Sequence, residues 1–385
     1  MTSPLAELIR TKRVIVTVGA GGVGKTTTAA AIATAAAIGG KRVLCLTIDP
    51  AKRLAQSLGL EAMTGEPTRI DPARFAAIGV TLKGELTAQM LDTKRTFDEL
   101  ILRYSSTPEK AQQLLNNRLY TYVSTSLAGT QEYMAMERLV AAKSDPQYDL
   151  IVLDTPPTAN ALDFLEAPRR LIEALDSVAM RWFVEAFEST GKLSFNLIAK
   201  SASVVLRGIG KITGAGFLQA MAEFITDLND LFGGFKERAT MVQASLRGGD
   251  VSFVVVTSPA PVTIREALFF SDRLQEHGMA RGAIVVNRFR RAPADGVVAV
   301  DSEVVDRAIA RHHLELDEGA SARIAQAFAD AAKLAALDSA QVAQLKGRLR
   351  DRVPMVCVEE FATDVRDIKL LTELSAILTT DAPTP

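Results

Sequence analysis

The stretch VIVTVGAGGVGKTTT, residues 14–28, carries the strongest fold signal in this chain. Its first five residues are apolar or β-branched, which predicts a buried strand over 14–18. Lys25 and Thr26 complete the spacing G-x-x-x-x-G-K-[ST] of a phosphate-binding loop. An alanine-rich helical pattern follows from Thr27 to about Ile38. Between strand and helix lie glycines that permit backbone conformations forbidden to other residues, namely Gly19, Gly21, Gly22 and Gly24.

The order of strand, loop and helix suits phosphate chemistry. Bare backbone N–H groups can surround a β-phosphate, and the helix N-terminus adds a favourable partial charge. The Lys25 ammonium would neutralise β- and γ-phosphate oxygens, and the Thr26 hydroxyl would bind Mg²⁺. The alternative is a glycine-rich turn with no ligand, but the flanking strand and helix favour the phosphate loop. The predicted nucleotide contacts here are Gly21, Gly22, Val23, Gly24, Lys25, Thr26 and Thr27.

Composition excludes several classes of protein. The 385 residues carry 44 basic and 45 acidic side chains, which argues against a nucleic-acid binder that relies on phosphate contacts. Cys45 and Cys357 lie far apart in apolar runs, which predicts buried thiols and neither a cysteine zinc site nor a redox pair. The N-terminus lacks the layout of a signal peptide, and no uncharged apolar run reaches the roughly 18 residues of a membrane span. We therefore expect a soluble, cytoplasmic protein.

Strand-like apolar runs alternate with helical patterns along the chain. This alternation predicts an α/β fold: a doubly wound, mainly parallel sheet in a single domain over 1–385. Ligand sites in such sheets lie beyond the carboxyl ends of the strands. Helical insertions are predicted at about 85–143 and 167–245, and a further helical segment at about 300–350. The predicted strands span 14–18, 43–48, 150–153, 252–257, 283–287 and 354–358.

Two of these strands end in aspartates. Asp49 follows RVLCLTI, where its carboxylate could orient, or accept a proton from, the water that attacks a γ-phosphate. The alternative for Asp49 is a helix cap before Pro50. Asp154 ends YDLIVLD in the layout of a Walker B carboxylate, which holds Mg²⁺ directly or through water; the alternative is an aspartate in a β-turn. The predicted metal ligands are therefore Thr26, Asp49 and Asp154.

A third strand, GAIVVN, ends in Asn287. An amide carries both a donor and an acceptor, so it can read the edge of adenine. An asparagine at a strand end is also a common turn residue, and the strand alone leaves both interpretations open.

Together these segments resemble the ArsA/Get family of P-loop ATPases, in the deviant Walker A group that also holds MinD, ParA and nitrogenase iron protein. GGVGKTT resembles the family loop, IDPAKRL the first switch and DTPPTANALDFL the second switch. The stretch from TSPAPVTIREALFF to GAIVVNR resembles a later strand–helix–strand unit whose final asparagine contacts adenine. VPMVCVEEFATDVRDIKLL resembles the terminal segment that packs near the base, which adds Pro354 to the predicted nucleotide contacts.

The resemblance implies roles for individual residues. Lys25 would grip phosphates, Asp49 would position water, and Thr26 and Asp154 would hold Mg²⁺, while Asn287 would select adenine. Family members act as dimers that close on ATP and open after hydrolysis. In the Get branch a helical insert shields hydrophobic membrane segments of client proteins, and in the ArsA branch the ATPase drives a metalloid efflux pump.

The implied function is an ATP-hydrolysing dimeric switch that opens and closes a hydrophobic helical groove. The implied ligands are ATP, ADP and Mg²⁺. The implied partners are a second copy or a paralogous chain, client helices and transient membrane contact, without nucleic acid.

Several departures from the family pattern bear on this function. Ala20 stands where the deviant loop carries a signature lysine, and Lys52, Arg53 or a partner chain could supply the missing charge. Asn160 stands where the second switch usually has histidine. The Get-type zinc cysteines and the ArsA cysteine triad are both missing.

Two alternatives to the groove-bearing switch remain open. The chain could be a ParA/MinD-like positioning ATPase, or a low-turnover nucleotide-binding subunit of a heterodimer. Segment 167–245, rich in aromatic residues, could likewise be packed core rather than a client groove.

Overall fold

The computed structural model describes residues 3–48, 53–117, 120, 130–155, 166–170, 173, 234, 237–293, 299–349 and 352–380. Eight strands form one sheet in the order β3-β4-β2-β5-β1-β6-β7-β8. All neighbours pair in parallel except β3, which runs antiparallel to β4. The strands are β1 (Val14–Val18), β2 (Arg42–Thr47), β3 (Thr68–Arg69), β4 (Glu85–Met90), β5 (Leu150–Asp154), β6 (Val251–Thr257), β7 (Arg281–Phe289) and β8 (Met355–Glu359).

Helices cover both faces of this sheet, so the doubly wound α/β prediction is confirmed. A further helical stretch over 237–246 precedes β6. The helices with complete bounds are α1 (Pro4–Thr11), α2 (Lys25–Ile38), α3 (Arg53–Ser57), α4 (Pro72–Ala76), α5 (Thr93–Tyr104), α6 (Pro108–Leu115), α7 (Thr130–Lys143), α8 (Pro261–Glu276), α9 (Ser302–Arg311), α10 (Ala320–Leu349) and α11 (Ile368–Thr379).

The central strands are apolar throughout because they are buried on both faces. Val14, Val16 and Val18 point into the layer that contains α5, α7, α8 and α10. Ile15 points into the opposite layer, which contains α1, α2 and α11. Helix α2 is apolar all round, as expected of a helix buried on every side. Its alanines at 29–31, 33, 36 and 37 are fully buried in that layer.

The six predicted strands are present, with ends shifted by one or two residues, and the segment predicted as helical at 300–350 contains α9 and α10. The helical prediction for 85–143 is wrong at its start, where Glu85–Met90 forms β4. Its sequence, ELTAQM, is rich in strong helix formers. Parallel pairing with β2 overrides that local preference.

Most of the predicted insertion 167–245 lies outside the described residues. Among the residues that are described, no helix combines the length and the apolarity needed to cross a bilayer.

Candidate nucleotide-binding site

The glycine loop joins the end of β1 to the start of α2, and its conformation requires glycine at defined positions. Gly19 has φ +149°, and a Cβ there would lie 2.1 Å from the carbonyl oxygen of Val256 on β6. Gly24 has φ +95°, and a Cβ there would lie 2.3 Å from Nδ2 of Asn287. The loop therefore packs against the neighbouring strands β6 and β7 at distances that only a bare backbone allows.

The outer side of the loop is open. Gly21 and Gly22 are exposed, and a Cβ on Gly22 would meet nothing within 4 Å. No side chain caps the N-terminus of α2. The first N–H groups of this helix therefore face outward without a capping side chain, which is the arrangement that attracts an anion.

Lys25, the first residue of α2, is only 6% exposed. Its Nζ donates a hydrogen bond to the carbonyl oxygen of Ala20 at 2.7 Å, so the ammonium lies across the loop. Thr26 and Thr27 are half-buried on the same helical turn. The structure thus brings together all seven predicted loop residues.

Asp154 lies at the end of β5 and is completely buried. Strand register places it beside Thr17 of β1 and Thr47 of β2. The Thr47 hydroxyl donates to Oδ2 of Asp154 at 3.0 Å, and the Thr155 hydroxyl donates to the Thr17 carbonyl at 2.8 Å. Two threonines therefore fix the carboxylate and the chain that follows it at the carboxyl edge of the sheet.

The donor set at this edge suits Mg²⁺. The Thr26 hydroxyl and the Asp154 carboxylate are oxygen ligands, which this cation prefers, and phosphate oxygens commonly complete such sites. Within the described part of the chain, no group of three histidine, cysteine or acidic side chains could hold a metal without further ligands. These residues fit a cation that is shared with a bound nucleotide.

The prediction of buried thiols is confirmed for Cys45, whereas Cys357 is only partly buried. Cys45 on β2 is fully buried, and burial raises the pKa of its thiol, helped by the nearby Asp154 carboxylate. Cys357 on β8 is partly buried, and burial raises its pKa to about 11. Neither thiol supplies a thiolate at neutral pH.

Asn287 is held against the loop. Its Nδ2 donates to the carbonyl oxygen of Val23 at 2.8 Å. Because a carbonyl only accepts hydrogen bonds, the amide nitrogen must face the loop and Oδ1 must face away from it. Pairing of β7 with β8 shifts register between Val286 and Phe289, and Arg288 between them has φ +58°. A left-handed arginine is uncommon and marks a strained irregularity within β7.

Asp49, Lys52 and Asn160 lie outside the described residues, and Arg53 is described only as the first residue of α3.

Pro354 does not join the loop. It precedes the first residue of β8 and so lies at the amino-terminal ends of the parallel strands, whereas the loop lies at their carboxyl ends. Its carbonyl accepts a hydrogen bond from Ile284 N at 2.8 Å. The prediction that Pro354 contacts the nucleotide does not fit this position, because the chain must still run along β8 to reach the carboxyl edge.

Sequence analysis named VPMVCVEEFATDVRDIKLL as a segment near the base but singled out only Pro354, and not the stretch that follows β8. This stretch lies at the carboxyl edge, where Glu360 N donates to the Phe289 carbonyl at 3.0 Å and Ser57 Oγ donates to the Val365 carbonyl at 3.2 Å. The end of the run VPMVCVEE, rather than its start, indicates which residues lie near the nucleotide site, because parallel strands present ligand sites at their carboxyl ends. Thr47 was missed for a different reason, since its role depends on register with β5.

A parallel sheet whose central strand leads through a glycine loop into a buried, uncapped helix defines a P-loop nucleotide-binding protein. A family model described as anion-transporting ATPase matches residues 12–299. The chain therefore belongs to the ArsA ATPase family.

Individual relatives agree with this assignment. The chain is 28% identical over 160 residues to ATPase ASNA1 homolog 1 of Paramecium tetraurelia, which covers 42% of this chain and 45% of that protein. It is 26% identical over 318 residues to ATPase ARSA1 of Chlamydomonas reinhardtii, and the match covers 78% of this chain and 38% of that protein. It is 26% identical over 289 residues to ATPase get3 of Aspergillus terreus, and the match covers 74% of this chain and 76% of that protein. The chain spans less than half the length of the Paramecium and Chlamydomonas proteins that it matches.

Proposed function

We propose that this chain binds ATP with Mg²⁺ in the loop of residues 19–26 and hydrolyses it to ADP and phosphate. The observation that carries the proposal is the Lys25 ammonium, held 2.7 Å from the Ala20 carbonyl across an uncapped helix N-terminus. When a nucleotide binds, the buried Lys25 ammonium can replace its hydrogen bond to the loop carbonyl with hydrogen bonds to the β- and γ-phosphate oxygens. Membership of an ATPase family supports the same activity.

The proposed roles follow from position. The backbone of residues 21–24 cradles the β-phosphate, and Thr26 and Asp154 hold the cation, with Asp154 oriented by Thr47. Mg²⁺, when bound, would offset negative charge on the phosphates. Asp49 orients the attacking water, as the resemblance of its segment to the first switch implies.

Asn287 provides the proposed preference for adenine. Its amide nitrogen donates one hydrogen bond to the Val23 carbonyl, so Oδ1 lies on the side of the amide that faces away from the loop. An acceptor directed at the base matches the exocyclic amino group of adenine and opposes the 6-oxo group of guanine or hypoxanthine. The loop contact thereby fixes which way the amide is oriented.

The proposed use of the energy is a dimer that closes on ATP and opens after hydrolysis, changing access to an apolar groove formed by residues 167–245. The family resemblance and the aromatic content of that segment support this role. The second candidate is a nucleotide-binding subunit with low turnover, paired with a paralogous chain. Ala20 favours this second candidate, because the loop position that carries the family's signature lysine here has no charged side chain, and only its backbone carbonyl makes a contact, with Lys25.

The deciding experiment measures phosphate release by purified wild type, Lys25→Ala and Lys41→Ala. Lys41 lies just beyond the other end of α2, and its Nζ bonds the Arg10 carbonyl at 3.2 Å, which makes it a matched control. Loss of the Lys25 ammonium should lower turnover by about a hundredfold, as expected for a charge aimed at the transferred phosphoryl group. The control should match wild type.

Two outcomes would contradict the proposal. Equal rates for wild type and Lys25→Ala would remove the ATPase assignment. Tight ATP binding by wild type, with no release of phosphate above background, would favour the low-turnover subunit instead.

A further inference from the structure

A buried carboxylate on α10 binds the residue that follows β7, the strand that carries Asn287. Asp338 is 3% exposed and accepts three hydrogen bonds from Arg290, the residue that follows β7. The backbone N–H and Nε both donate to Oδ2, at 3.0 and 2.9 Å, and Nη2 donates to Oδ1 at 2.8 Å. The pairing is therefore bidentate at the side chain and also fixes the backbone of Arg290.

The Asp338–Arg290 pair lies directly beyond a strained position near the end of β7. Arg288 has φ +58°, is exposed and lies between the base-facing Asn287 and the buried Phe289. Strained backbone persists only where surrounding contacts over-determine it. Here the contacts on the near side are Asn287 to Val23, and those on the far side are Phe289 to Glu360 and Arg290 to Asp338.

We propose that Asp338 is a positioning residue for base selection. Acting through Arg290, it holds the left-handed backbone of Arg288 within β7 and so keeps the Asn287 amide against the loop with Oδ1 directed at the base. Weakening the Asp338–Arg290 pair lets the backbone at Arg288 relax towards ordinary strand geometry. Asn287 then leaves Val23, its amide rotates, and the acceptor is no longer presented in one orientation. This inference rests on the proposed function, because it concerns how the same nucleotide site chooses its base.

The test compares the affinities of ATP and ITP, which differ at position 6 of the purine. The variants are Asp338→Asn, which keeps the shape but loses the charge, and Arg290→Lys, which keeps the charge but loses the bidentate fork. Asp330→Asn is the matched control, because Asp330 lies on the same helix, is exposed, accepts a hydrogen bond from Gln326 and lies 3.9 Å from Lys333 Nζ. Asn287→Ala serves as the benchmark for complete loss of base reading.

Wild type should prefer ATP over ITP by about tenfold, the scale of one hydrogen bond lost and one acceptor left facing an acceptor. Asn287→Ala should bring that ratio close to one. Asp338→Asn and Arg290→Lys should lower it at least about threefold, with turnover at saturating ATP within about twofold of wild type. Adding Asp338→Asn to Asn287→Ala should change the ratio no further, because the carboxylate acts only through that amide.

A purely structural role predicts something different. It would weaken ATP and ITP equally and leave their ratio unchanged, and that result in the folded variants would overturn the proposal. If Asp338→Asn does not fold, Arg290→Lys decides alone, since its side chain is 41% exposed and the substitution is mild. If wild type binds neither nucleotide, the proposed function itself fails and this inference fails with it.

Discussion

At the scale of single residues, three loop glycines have left-handed backbones for different physical reasons. Gly19 clears the Val256 carbonyl, and Gly24 clears the Asn287 amide. Gly22 has φ +76° but no atom within 4 Å of its missing Cβ, so only its backbone angle needs glycine. The same residue type therefore serves close packing at two positions and conformation alone at the third.

This difference predicts unequal effects of alanine in the nucleotide-free protein. Gly22→Ala should lower the free energy of unfolding by about 1 kcal/mol, the cost of a positive φ for an L-residue. Gly24→Ala should lower it by about 2–3 kcal/mol, because it adds a clash with Asn287 to the same backbone cost. Urea unfolding measures both values.

The Asn287→Ala background provides the control. Removing the amide should recover part of the loss caused by Gly24→Ala and leave the Gly22→Ala loss unchanged. Equal losses for the two glycines, with no coupling to Asn287, would show that the amide does not press on the loop.

At the scale of elements, one buried ion pair joins α7 to the helical stretch over 237–246. The side chains of Glu137 and Arg238 are only 4% and 11% exposed, and Arg238 Nε lies 2.6 Å from Oε1 of Glu137. Tyr133 is buried beside them. Burial raises the pKa of Glu137 and outweighs the opposing effect of Arg238. The helical stretch over 237–246 therefore contacts α7 through the Glu137 carboxylate, whose charged form is disfavoured by burial.

The raised pKa fixes the sign of a pH effect. A folded-state pKa above the unfolded value means that folded Glu137 holds its proton more tightly, so this contribution to stability is complete below about pH 4.5 and is lost as pH rises through the raised pKa. Glu137→Gln removes this titration and resembles the protonated carboxyl, so the stability of the variant should not follow this pH dependence. The stability advantage of wild type over the variant should shrink between pH 5 and pH 8.

Urea unfolding at several pH values checks this prediction. The double variant Glu137→Leu, Arg238→Met is the control, because an apolar pair of similar volume carries no titrating group and should show no such pH dependence. An advantage of wild type that grows with pH would mean that Arg238, rather than burial, dominates the pKa of Glu137.

At the scale of the whole molecule, the sheet gathers distant segments at one edge. The loop after β1, the end of β5 and the end of β7 meet there, although Val23 and Asn287 lie 264 positions apart. The chain enters the segment 156–250 directly after Thr155, whose hydroxyl bonds the Thr17 carbonyl one residue before the end of β1. The residue that precedes that segment is therefore hydrogen-bonded to the strand that leads into the loop.

If ATP closes a dimer and regulates an apolar groove, both effects should be measurable. Light scattering should give the mass of two chains with a non-hydrolysable ATP analogue and a lower average mass with ADP. A hydrophobic dye should bind to different extents in these two states, because apolar surface is covered in one and exposed in the other. Lys25→Ala should show neither difference. Equal dye binding in both nucleotide states would contradict a gated groove.

Local sequence determined much of this protein. The loop, its preceding strand and α2 are encoded in 25 contiguous residues, and the central strands are legible because burial on both faces demands unbroken apolar runs. Asp154 and Asn287 were likewise predicted at the carboxyl ends of apolar runs, and the structure places Asp154 at the end of β5 and Asn287 two residues before the end of β7.

Only the tertiary structure decided the rest, because it depends on partners far away in the chain. Residues 85–90 favour a helix by composition and become a strand through pairing with β2. Pro354 lies at the wrong end of its strand, a point set by the direction and register of β8. The hydrogen bonds from Thr47 to Asp154 and from Arg290 to Asp338 span 107 and 48 positions, respectively. Composition and periodicity describe neighbours along the chain, whereas these contacts exist only once the sheet and its helices have packed.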